Sequence, residues 1–121
     1  MNYFVLRDET SGAALGAVAK AETGWQRLVG LLGSRCIPPH EGMWFDDCSA
    51  VHTIGMRFAL DIIFLDRNGR VIDLRERVAP NALAVVCPRA CVTVELGAGT
   101  LATTGVRLGD RLVLEASESP A

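Results

Sequence analysis

The chain has 121 residues, half of them hydrophobic, with 12 basic and 14 acidic side chains and a net charge of −2. That length suits one domain with a real core, and the hydrophobic content excludes disorder except at the ends. No basic run that could track phosphates is present, and no apolar stretch nears the roughly 18 residues that span a bilayer, which argues against nucleic acid or a membrane span as the main partner.

Taken in chain order, Tyr3 to Leu6 reads as a short strand ended by Arg7-Asp8-Glu9. Leu15 to Lys20 is alanine-rich with a poor period and fits strand or helix alike. Thr23 with Gln26 forms a capping-box pattern, Trp25, Leu28, Val29 and Leu32 share one helical face, and Gly33 stops it. This spacing predicts one amphipathic helix over residues 24–32, its apolar stripe lying on a sheet. Pro38-Pro39 enforces an irregular link. Met43 to Phe45 is a short apolar run, and Leu60 to Leu65 is apolar on both faces, as in a central strand. Asp66-Arg67-Asn68-Gly69 is a turn into the strand Val71 to Leu74. Pro80-Asn81 marks a further turn, after which Leu83 to Val86 reads as a strand. Val92, Val94 and Leu96 alternate with Thr93 and Glu95, which places Glu95 toward solvent on a half-buried strand. Gly97, Gly99 and Gly105 bracket a loop or short helical turn, Leu112 and Leu114 belong to a last strand, and residues 117–121 fray.

The pattern is mainly β (α+β): a compact antiparallel β-sandwich or barrel of about seven short strands with one helix packed on it. Residues 1–121 form a single domain. With no signal core near the start, the chain is expected in the cytoplasm, where Cys36, Cys48, Cys87 and Cys91 would be free thiols.

Two segments carry a family resemblance. One is Gly30-Leu31-Leu32-Gly33-Ser34-Arg35 followed by Gly42-Met43-Trp44-Phe45. The other runs from His52-Thr53-Ile54-Gly55-Met56-Arg57 through Ala59-Leu60-Asp61 to Asp66 and the Asn68-Gly69 turn. With Val94-Glu95-Leu96, Ala98-Gly99, Gly105 and Gly109-Asp110, the ordered set resembles the domain-of-unknown-function family 192 over about residues 15–115. The resemblance implies a compact β-sandwich-like domain with a packed helix, and it implies no reaction. Relatives in that family often look exported. The commoner family form has Trp-Met-Lys-Asn-Thr before Pro-Leu-Asp, so the His-Thr-x-Gly-Met version here reads as a subgroup, and a family-wide catalytic histidine is not implied.

Asp61 is the most suggestive single residue, since a carboxylate entering an apolar strand must be hydrogen-bonded, paired or protonated. It is read either as an acid or ligand anchor, or as a structural carboxylate accepting backbone N–H groups or pairing with Arg57. His52 could serve as a base oriented by Asp61. Trp44 and Met56, beside flexible glycines, could wall a ligand pocket or merely fill the core. Arg57, Arg75 and Arg77 could rim such a pocket or pair with Asp73 and Glu76 on a solvated face. His40 is read as a surface residue. Cys48-x3-His52 and Cys87-x3-Cys91 are weak metal patterns, because residues four apart in a strand lie about 13 Å from each other.

Signatures of esterases, nucleotide binders and zinc proteases are missing from the sequence. The leading reading is a non-catalytic small-molecule-binding or interaction module with a shallow pocket near Trp44, His52, Met56, Arg57 and Asp61, taking a small polar ligand and needing no cofactor. The second is a small hydrolase or isomerase using His52 and Asp61 as an acid–base pair. The third is a protein-assembly module. Oligomeric state stays open.

Overall fold

The structure is a computed structural model and describes residues 3–21, 37–51, 58–81 and 85–116. The expected helix over residues 24–32 lies outside the described residues. Within them the chain forms strands β1 (Tyr3–Asp8), β2 (Ala14–Ala21), β3 (Glu41–Asp46), β4 (Ala50–Val51), β5 (Leu60–Leu65), β6 (Val71–Val78), β7 (Val85–Val86) and β8 (Val92–Gly97). The five-residue helix α1 (Thr100–Thr104) and strand β9 (Leu112–Ala116) follow. The mainly β reading therefore holds, and the ambiguous alanine-rich segment is a strand.

Local chemistry explains the tightest turns. Between β5 and β6, the Asp66 side chain accepts the backbone N–H groups of Asn68 (2.8 Å) and Arg70 (2.9 Å), an Asx-type turn. Gly69 completes the turn with φ of 80°, a conformation L side chains rarely adopt. Between β1 and β2, Asp8 does the same for Thr10 (2.9 Å) and Ser11 (3.3 Å). Helix α1 is bounded by Gly99 and Gly105, both left-handed.

Seven strands form one sheet in the order β6-β5-β8-β3-β2-β1-β9, while β4 and β7 pair separately as a small ribbon. The sheet departs from the antiparallel expectation at one place: β2 and β3 run parallel. A parallel neighbour needs a long crossover, and the stretch 22–40 has that length.

The sheet is curled. Beyond the two edge strands' own ladders, the Arg70–Arg111 bridge links the start of β6 to the start of β9. Hydrogen bonds from Leu112 N–H to Gly69 and from Val71 N–H to Asp110 (2.8 Å each) fix the same junction. One apolar cluster consequently joins Leu6 and Leu112 at one edge to Leu65 and Val71 at the other, through Val94 and Leu96, with Leu101 and Val106 at its end. Laid flat, seven strands would hold those edges roughly 29 Å apart. The fold is a partly closed barrel with this cluster inside.

Side-chain alternation then puts the other residues of β3, β5 and β8 on the outer wall. That wall is not solvated. Ile62 and Phe64 pack with Val85, Ala90 and the partly buried Val51, and Met43 and Phe45 pack with Ala21. The β4–β7 ribbon supplies part of this second layer. All six residues of β5 are buried, the signature of a strand covered on both sides.

Candidate functional site

Asp61 is 1% exposed and points into the barrel, opposite Leu96. Its Oδ1 accepts the N–H of Arg77 and its Oδ2 accepts the N–H of Leu101, both at 2.9 Å. Arg77 has φ of 50°, an uncommon left-handed conformation for a non-glycine residue. One carboxylate thus joins β5, β6 and α1.

Trp44 faces the same interior, opposite Val94, with β8 between it and Asp61. It is 8% exposed, and its indole N–H donates to Asp46 Oδ1 at 2.9 Å, while the other Asp46 oxygen meets Lys20 Nζ at 3.0 Å. Indole and carboxylate are both turned to the core, each with its own protein partner. His52, Met56 and Arg57 lie outside the described residues, as does any contact between His52 and Asp61.

Arg75 pairs with Asp73 (2.8 Å), donates to the Val86 carbonyl (2.6 Å) and lies 5.2 Å from the centre of the Phe64 ring. His40 is exposed, and its ring binds the Leu15 carbonyl (2.9 Å) and the Thr103 hydroxyl (3.3 Å). Cys48, Cys87 and Cys91 are half-buried free thiols gathered at one end of the sheet, where Cys48 N–H donates to Cys91 (3.1 Å) and Cys87 N–H to Ser49 (2.8 Å). Cys36 lies outside the described residues. Among the described residues, no three His, Cys, Asp or Glu side chains cluster so as to hold a metal. No helix among them is long and apolar enough to cross a membrane.

Two acidic features escaped the sequence reading. Glu95 is not solvent-facing: it is 0% exposed, and neither carboxyl oxygen has a hydrogen-bond partner among the described residues. Burial pushes its pKa up to about 8. The alternation of β8 correctly put Glu95 opposite Val94 and Leu96; the error lay in assuming that the second face meets water. The signal that could have corrected it is the two-faced apolar run Leu60 to Leu65, because a strand covered on both sides implies covered neighbours.

The second is Asp8, 1% exposed, whose carboxyl is hydrogen-bonded to that of Asp110. Burial first, then this bond, raises the pKa of Asp8, whereas the same bond lowers that of Asp110. The two carboxyls meet where β1 reaches the loop before β9, and they shift in opposite directions because they act on each other.

A curled, mainly β sheet around one apolar cluster, with a second layer on its outer wall, places this chain among small β-barrel-like domains. The chain belongs to the domain-of-unknown-function family 192 (uncharacterized ACR), whose profile matches residues 6–114. It is similar in structure to a Sinorhizobium meliloti 1021 protein provisionally described as a transcription regulator, at 27% identity and a TM-score of 0.78, covering 93% of this chain and 92% of that one. A protein of unknown function from Novosphingobium aromaticivorans DSM 12444 shares the fold at 22% identity and a TM-score of 0.74, over 93% and 84% of the two chains. No curated protein matches the sequence.

Proposed function

We propose that this protein is a non-catalytic module that binds a small molecule. The observation that supports this most is the engagement of Asp61, whose two oxygens accept backbone N–H groups from β6 and α1. A carboxylate tied into three elements is a fixed structural clamp, which weakens the acid–base reading built on His52 and Asp61.

The other readings find less support. An assembly surface needs a broad exposed apolar patch, but the large hydrophobics exposed among the described residues are Tyr3 on β1, Val86 on β7 and Leu108 in the loop before β9. The Sinorhizobium meliloti relative raises regulation as a theme, yet DNA binding calls for a basic face. Here Arg7, Lys20, Arg75 and Arg111 are each paired with a carboxylate of the same chain, and the net charge is −2.

Native mass spectrometry of mildly purified protein, alone and with a panel of small molecules, tests the proposal. A saturable one-to-one adduct without turnover is the expected result. Turnover of an ester, amide or isomerisable substrate that is lost in both His52→Ala and Asp61→Asn would overturn it in favour of the enzyme.

A further inference from the structure

Glu95 occupies β8, a central strand of the sheet, and its side chain leaves the outer wall between Met43 on β3 and Ile62 on β5, which stand directly opposite it. One step along the same face is Thr93, flanked by Phe45 and Phe64. The Thr93 hydroxyl is already committed to the Cys48 carbonyl at 2.8 Å. Glu95 therefore stands between two apolar clusters, Ala21 with Met43 and Phe45 on one side and Ile62 with Phe64, Val85 and Ala90 on the other.

Among the described residues, no hydrogen bond repays the burial of this carboxyl. Asp61 and Asp8, equally buried, each tie loops or strands together through backbone N–H groups. Glu95 ties nothing among the described residues. A methionine or leucine at this position would continue the apolar wall at no such cost. Local rules broken without structural compensation cluster at functional sites.

We propose that Glu95 is the polar recognition group of a buried ligand site on the outer wall, between the Met43 and Ile62 clusters, and that the site takes a small, neutral, largely apolar molecule bearing one hydrogen-bonding head such as a carboxamide. The inference rests on the binding-module reading and names its residue and its ligand class. A protonated carboxyl offers one O–H donor and one carbonyl acceptor, which a carboxamide matches in both directions. An anion would be desolvated, and the described cation that faces this wall, Arg75 across Ile62 on β6, is already bound by Asp73 and Val86. An ammonium would have to ionise Glu95 amid apolar side chains. Since no solvent reaches Glu95, the ligand is admitted by a local opening of the outer layer.

The test titrates uniformly labelled protein with benzamide, benzoate, benzylamine and toluene, followed by amide NMR. Benzamide is expected to give saturable shifts at Met43, Ile62 and Thr93 and to bind at least roughly tenfold more tightly than the other three. Glu95→Met should erase that preference over toluene, whereas Glu95→Gln should keep it. The wild-type preference requires no variant, so the test survives a variant that fails to fold. Equal affinity for benzamide and toluene in the wild type, or an unchanged preference in a folded Glu95→Met, overturns the inference. So does the absence of saturable shifts with every probe. Saturation at residues away from β3, β5 and β8 also overturns it, yet leaves the binding-module reading standing. A ligand found by native mass spectrometry that binds wild type and Glu95→Met alike separates the two in the same way.

Discussion

Asp61 and Leu101, distant in sequence, are joined by a buried hydrogen bond of 2.9 Å from the Leu101 N–H to Asp61 Oδ2. Through it β5, the strand buried on both faces, holds the helix that contributes Leu101 to the interior core. The other oxygen holds Arg77 in its left-handed conformation, at the irregular pairing between β5 and β6.

Removing that carboxylate leaves two buried N–H groups without acceptors. Asp61→Ala is expected to lose about 3–5 kcal/mol of stability, and Asp61→Asn, which keeps one carbonyl acceptor, about 1–3 kcal/mol. Urea denaturation checks the order. Equal losses in both would show that the bonds to Arg77 and Leu101 are not what the carboxylate contributes.

Glu95 gives stability a pH slope of definite sign. Its folded pKa of about 8 lies above the ordinary 4.5, so the folded state holds more protons than the unfolded state between those values. This contribution is fully present below about pH 4.5 and is lost as pH rises toward 8. Between pH 5 and pH 8 the wild type should lose about 3 kcal/mol that Glu95→Gln retains. Urea melts of both proteins at pH 5, 6.5 and 8 check it, and parallel curves would show that Glu95 is not buried as a neutral acid.

The carboxyl pair at Asp8 and Asp110 calls for substitution by an amide, which can donate where two carboxylates would repel. Asp8→Asn keeps an acceptor for Thr10 and Ser11 and a donor toward Asp110, so at neutral pH it should match the wild type or exceed it. Asp8→Ala should lose about 2 kcal/mol. The signs of the two titrations are opposite. The contribution of Asp8, whose pKa is raised, is lost as pH climbs through its folded value. That of Asp110, whose pKa is lowered, is lost as pH falls through its own. Carboxyl carbon shifts followed by NMR would resolve both steps.

Gly97, at the end of β8, is needed for space. A Cβ there would run into the backbone carbonyl of Pro38, which cannot give way as a side-chain tip can. Gly97→Ala should cost about 1–3 kcal/mol, while alanine at Gly12, whose Cβ would meet open space, carries only the strain of its φ of 83°. Thermal melts of the two variants give the comparison.

Much of this architecture is legible in the chain. Leu60 to Leu65 followed by Asp66-Arg67-Asn68-Gly69 specifies a buried strand and its hairpin, because a two-faced apolar run and an Asx turn are local chemistry. The alternation Val92 to Leu96, the glycines around α1 and the family motif are equally local. Four things were decided only by tertiary structure. The alanine-rich β2 became a strand because it lies between β1 and β3, where ladder bonds outweigh a weak local preference. The curl that seals Trp44 and Asp61 inside depends on the junction of β6 with β9, far apart in sequence. The meeting of Asp8 with Asp110 depends on that same junction. Glu95 became a buried acid because a second layer covers the barrel's outer wall: period two along a strand tells which face a side chain takes, and only the packing of other elements decides whether that face meets water.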